Sequence, residues 1–307
     1  MAIQTEIWTG DIQKGIFPDS SFVRRSVNHD SYVSNKTVHI PQAGTIPDVE
    51  KNRAVLPSTV TQRTDTDRTY DLNEYSTGAM LITNLEELQV NYQKRQDVLS
   101  QHIEKIMRRI GDETAYTWAG TGLVSAGGQI VLTTGTATAG IAPPSGTGNR
   151  NAVKINDLAT LAAKFDGDDI AQENRYLLMP AVMYHNMLVE NAAYFLNSQY
   201  MNQGLLPAGV VTKIWGFNII VRSNVTVYAD DATPTVKAVG AAAATTDCFG
   251  AIAWHESAVC NALGDIKAFA DEGSAAYQGD ILSALAMHGS HILRTDGKGI
   301  GTIVQNT

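Results

Sequence analysis

The spacing of apolar residues changes character along the chain. Residues 1–36 set isolated large apolar side chains (Ile7, Trp8, Ile12, Ile16, Phe17, Phe22, Val23) among polar ones, with neither a helical nor a strand period. That is too aromatic for a solvated tail, so it predicts an extended arm lying against something else. From Thr37 to Leu72 strand formers and turn residues take over: Pro41, Gly44, Pro47 and Pro57 punctuate it, and Thr59, Thr61, Thr64, Thr66 and Thr69 supply β-branched positions. The second half reads as a long ribbon, polar on both faces. Two strands alone are marginal in water, so such a ribbon needs an outside partner.

A helix is expected next. Leu85, Leu88, Tyr92, Leu99, Ile103, Ile106 and Ile110 form one apolar stripe, with Thr83 and Glu86 in a capping-box pattern at its start. A helix over 84–110 would be roughly 40 Å long at about 1.5 Å per residue, with Gly111 ending or bending it. Lys94, Arg95, Lys105, Arg108 and Arg109 lie off the stripe and read as a solvated face.

Residues 120–150 are rich in Gly, Ala, Thr, Ser and Pro and read as loop, with one strand near 129–132. Beyond them the pattern predicts helices at 156–164 and 181–191 and strands at 175–179, 217–221, 225–228, 249–254, 281–287, 291–294 and 300–304, with 238–246 as an alanine-rich surface segment. Helices and strands mix without a regular βαβ rhythm, so the fold class is α+β.

Composition narrows the function classes. The 307 residues suffice for a sizeable core, and 44% hydrophobic residues exclude a disordered chain. Charged residues make up only 18%, below the roughly 25% of an average soluble domain, which points to a surface that meets protein more than water. A net charge of −8 argues against a general polyanion binder. Cys248 and Cys260 are too few for a disulfide framework or a four-ligand zinc site. The N-terminal sequence has no signal-peptide pattern, and no apolar run reaches the roughly 18 residues of a membrane span.

Catalytic and ligand motifs fail on inspection. His255-Glu256 begins like a zinc motif, but Val259 stands where the second histidine belongs. His288 and His291 would point to opposite faces of a strand and read as surface or interface residues. The glycines of 297–301 lack phosphate-loop spacing and read as a turn. Asp166, Asp168 and Asp169 are followed by Ile170 where a calcium loop needs oxygen. Both cysteines read as small buried hydrophobes. The sequence thus supplies no catalytic, cofactor-binding or metal residue.

Taken in order, the chain is an arm, a polar ribbon, a long helix, a glycine-rich connector, a compact α+β module and returning strands. The stretch KFDGDDIAQENRYLLMPAVMYHNML (164–188), then VVTKIWGFNIIVRSNV (211–226), then AIAWHESAVCNAL and YQGDILSALAMHGSHILRTDGKGIGTI resemble in order and spacing the coat proteins of tailed double-stranded DNA phages with the HK97-type fold. The resemblance implies an N-arm (1–36), an E-loop (37–80), a spine helix with the first part of the P-domain (81–151), an A-domain (152–262) and returning P-domain strands (263–307). It implies a non-enzymatic subunit that forms hexamers and pentamers and closes an icosahedral shell around double-stranded DNA. That DNA would be held without sequence-specific contacts, compatibly with the acidic balance. Portal, scaffolding and decoration proteins are the further partners implied, with assembly in the host bacterial cytoplasm and residence in the virion. Lys51, Arg53, Arg63, Asp65, Asp67, Arg68 and Asp71 are then the candidates for contacts between subunits. Some members of the family join subunits through a Lys–Asn bond; Lys51 stands in the ribbon, and no motif fixes a partner for it. Two other readings stay open: an encapsulin-type compartment of the same fold, and an enzyme whose site gathers scattered residues such as His185, Asp166 and His255.

Overall fold

Strand Arg175–Pro180 is buried at every position, which a strand achieves only when both faces of its sheet are covered. In the computed structural model of the chain, which describes residues 22–34, 36–42, 49–53, 60, 62, 64–83, 93–144, 146–195, 213–229, 233–294 and 296–307, that strand lies inside an eight-stranded mixed sheet. The sheet is organised by Cys248–His255. One edge of this strand pairs antiparallel with Arg175–Pro180 and Thr226–Ala229; the other pairs with Ile300–Val304. Phe217–Arg222 adds on in parallel beyond Arg175–Pro180.

The period of two then sorts residues onto two layers. Leu177, Met179, Ala251, Ala253 and Ile303 face helices Ile155–Gly167 and Ala181–Glu190, packing against Leu158, Leu161, Phe165, Met183 and Met187. Tyr176, Leu178, Ile252 and Trp254 face the other way, onto Ala115, Trp118 and Phe22. The rings of Trp118 and Trp254 are 5.3 Å apart, and Phe22 meets both edge-on at 5.9 and 6.0 Å. Arg175, almost fully buried, is held by Asp166 (2.6 Å) and the Ala171 carbonyl (2.8 Å), with Phe165 and Phe217 beside its guanidinium.

Two expectations change here. The long helix runs Gln93–Trp118, so Gly111 does not end it. Past Gly111 the buried stripe continues in the same four-residue steps, His102, Ile106, Ile110, Thr114 and Trp118, and burial of that face outweighs the roughly 1 kcal/mol that glycine costs a helix. Residues 84–92, and with them the expected start at Glu86 and the apolar positions Leu85, Leu88 and Tyr92, lie outside the described residues; Thr83 closes strand Met80–Thr83. The second change concerns the arm. Its last portion packs on its own subunit, because Phe22 and Val23 are buried in the tryptophan layer and Val27–Asn28 pairs in parallel with Cys260 and Asn261.

The remaining architecture is a long hairpin, Val259–Ser274 with Gly279–Ile292, flanked by Asn73–Ser76 and Met80–Thr83. The first of its strands was not anticipated, and the second replaces two short ones. Its inward positions are small: Ala268, Ala284 and Ala286 receive Ile103, Ile106 and Ile110 of the helix. Alanine makes a weak strand signal, yet it leaves room for a helix to lie close on the sheet.

Candidate subunit-contact surface

The ribbon pairs Thr37–Gln42 with Thr66–Asp71 in one antiparallel register, from Thr37 opposite Asp71 to Gln42 opposite Thr66. It is not polar on both faces, as its threonine and charge content predicts. Val38, Ile40, Tyr70 and the adjoining Leu72 turn inward onto Cys260, Ala262, Met287 and Leu293 of the long hairpin. Gly264 and Gly289 make the close seat possible: a Cβ at Gly289 would stand 3.0 Å from the Tyr70 ring, and one at Gly264 2.7 Å from Leu72. The base of the ribbon is therefore fastened to its own subunit, and its outer face remains polar. There Thr37 Oγ1 donates to Asp71 (2.8 Å) and His39 Nδ1 meets Asp67 (2.7 Å).

The candidate contact residues separate into three groups. Lys51 and Arg53 are exposed in the short described stretch 49–53, where Arg53 is 3.3 Å from Glu50. Asp65, Asp67 and Asp71 are exposed along the outer side of the strand, Asp67 and Asp71 with the intrachain partners just named. Arg68 turns inward and is half-buried: its Nε donates to His291 Nε2 (3.1 Å) and its Nη1 to the Leu293 carbonyl (3.3 Å). Arg63 lies outside the described residues.

A second surface was not read from the sequence. On the hairpin face away from the helix, Leu81 and Phe269 are exposed, with half-buried Ile281 and Leu285 beside them. Phe269 pairs opposite Ser283, and Leu81 opposite Ile281. The alternation of Lys267, Phe269 and Asp271 with Ala268 and Ala270 carries this signal, but in the sequence it is masked by weak strand formers.

Several polar groups that the sequence singles out have structural partners. Asp166 pairs with Arg175, Asp168 with Lys164 (2.9 Å), and His255 Nδ1 accepts from the Ser257 amide. Among the described residues no group of three His, Cys, Asp or Glu stands close enough to hold a metal. His288 is not a surface or interface residue: it is 1% exposed, and burial lowers its pKa to about 4. Cys248 and Cys260 are both free and buried, and burial pushes the Cys260 thiol up to about 11. No described helix is long and apolar enough to cross a membrane.

The long helix on a small-residue hairpin, the ribbon rising from that hairpin and the doubly covered sheet together form a framework that has counterparts among solved structures. The family model for phage capsid proteins matches residues 19–278, most of the chain. The chain belongs to the phage capsid protein family. The capsid subunit of cyanophage Pam1 is similar over 95% of this chain and 92% of its own, with a TM-score of 0.64 at 9% identity. That of Ralstonia phage GP4 covers 94% and 91% with a TM-score of 0.62 at 11% identity. That of cyanophage P-SCSP1u covers 91% and 85% with a TM-score of 0.60 at 19% identity. No curated protein matches the sequence. At such identities these likenesses speak to the fold, the α+β architecture of HK97-type capsid proteins, and the family match supplies the role: this is a major capsid protein. The encapsulin alternative is not favoured.

Proposed function

We propose that the chain forms hexamers and pentamers that close into an icosahedral shell around double-stranded DNA, and that it works mechanically, with no catalytic role. The observation that carries the reading is the family match over 19–278 on a chain whose fold aligns along more than nine tenths of its length with capsid subunits. Two surface features support it: an outer ribbon face of charged and polar groups, and the exposed Leu81 and Phe269 on the hairpin. In this reading the ribbon is the E-loop, the long helix the spine, the long hairpin the P-domain and the doubly covered sheet the A-domain. Lys51, Arg53, Asp65, Asp67 and Asp71 then face neighbouring subunits, whereas Arg68 serves the subunit's own ribbon. Portal, scaffolding and decoration proteins are the further partners, and assembly takes place in the bacterial cytoplasm. The acidic chain suits a container that encloses DNA without gripping it, since a basic lining would bind phosphate tightly. Electron microscopy of purified protein tests this. Closed shells of uniform size are expected, and a monodisperse monomer under all assembly conditions, including with the phage's own scaffold, would refute it.

A further inference from the structure

Two histidines stand at the base of the ribbon, one in its own strand and one in the long hairpin, and their partners carry opposite charges. On the outer face His39 meets the Asp67 carboxylate at 2.7 Å. On the inner face His291 Nε2 stands 3.1 Å from Arg68 Nε. A guanidinium has N–H groups only and no acceptor, so this second bond exists only when His291 Nε2 carries no proton. The Tyr70 ring stacks on the His291 ring, centroids 5.5 Å apart and planes 27° apart, so the imidazole also sits against one of the ribbon's apolar anchors.

We propose that His291 is an acid-sensitive latch: taking up a proton at Nε2 replaces its hydrogen bond with Arg68 by a clash of two cations, and frees the ribbon base from the long hairpin while the central sheet stays folded. The groups facing His291 leave Arg68 as the charge that decides the sign. From the ribbon come Arg68 and Tyr70; from strand Val259–Ser274 comes Cys260, whose Sγ lies 3.4 Å from the His291 carbonyl. Burial raises the pKa of both Tyr70 and Cys260, so they stay neutral through the acid range. Asp30, whose charge reaches Tyr70, accepts the Leu263 amide at 2.6 Å. Burial first, and then Arg68, lower the His291 pKa below its ordinary value. The sign follows: the latch is closed near neutrality and opens as pH falls through that lowered value. His39 faces a carboxylate, Asp67, and no cation.

Hydrogen exchange of the full chain, corrected for intrinsic rates, tests this between about pH 7.5 and about pH 5. In the wild type, protection of peptides covering 64–72 should fall about tenfold or more, the factor for one pH unit of proton linkage; in a His288→Leu background, which removes that buried imidazole's own acid sensitivity, the fall at 64–72 should persist with 175–180 and 248–255 unchanged. His291→Gln keeps an acceptor for Arg68 but cannot titrate, and should abolish the fall; His39→Gln should retain it. A fall of the same size in His291→Gln, or flat protection in the wild type, overturns the latch. NMR titration of the wild-type imidazole is a check that needs no variant: midpoint protonation of His291 at or above about 6.5 overturns it as well.

Discussion

The central sheet and the ribbon-bearing hairpin solve different problems with the same chain. The sheet is covered on both faces, by two helices on one side and by Trp118, Trp254 and Phe22 on the other, and its strand Arg175–Pro180 meets no water. On one face of the hairpin Ile103, Ile106 and Ile110 lie on its alanines; the other face carries the ribbon base at its Cys260 and Met287 end and, beyond that, shows Phe269 and Leu81 to solvent. The first region is complete within one subunit. The second leaves an apolar surface uncovered, which the proposed assembly into shells would close.

This contrast is broken most directly at Trp118. The side chain is fully buried against Trp254 and Phe22, so Trp118→Ala should cost about 4 kcal/mol by leaving a cavity. Thermal melts followed by circular dichroism should show a collapse of the midpoint for the whole subunit; an unchanged midpoint would mean the sheet does not depend on this layer.

The next largest effect is acid. His288 is buried and neutral, with its pKa lowered to about 4. Unfolded, the same residue titrates near 6.5, so between those values the unfolded chain binds more protons and stability falls as pH falls. The shift corresponds to a loss of about 3 kcal/mol once pH reaches 4. Urea midpoints measured at pH 7, 5.5 and 4.5 should decline, and His288→Leu should flatten the decline; an equal slope in that variant would relocate the effect.

Smaller still is the seat of the ribbon. Gly289→Ala sets a methyl 3.0 Å from the Tyr70 ring and should cost about 1 kcal/mol. The loss should show as faster exchange at 66–72 before any change in the central sheet. Smallest for the subunit is the double reversal Lys51→Glu with Arg53→Glu, both exposed. It should leave the melting midpoint within about 0.5 kcal/mol of wild type, yet lower shell yield in light scattering and microscopy, because weak contacts repeat around a shell. Full shell yield would remove 49–53 from the contact surface.

Where burial is strong and local, the sequence was readable. Strand Ile300–Val304 and the helix near 155–167 have large aliphatic residues at the right period, and both stand where the pattern placed them. The phage capsid family and its α+β fold were legible from the order of segments. What escaped was set by tertiary partners. Val259–Ser274 hides its alternation behind alanines whose use is to admit a helix from elsewhere in the chain. Helix continuation past Gly111 depends on the core around Trp118. Arg68 reads as a ribbon charge like its neighbours, and only the fold brings it to a histidine 223 positions away.

Gly111 carries a further consequence. It stands where the long helix passes from the hairpin to the tryptophan layer, and a Cβ there would be 2.9 Å from the Arg222 guanidinium. Arg222 reaches both sides of it, donating to the Arg108 carbonyl at 3.2 Å and pairing with Asp112 at 2.8 Å. Glycine makes this the most pliable turn of the rod, and the arginine acts as a splint across it. Arg222 thus fastens together, from outside the helix, the two segments that meet at Gly111.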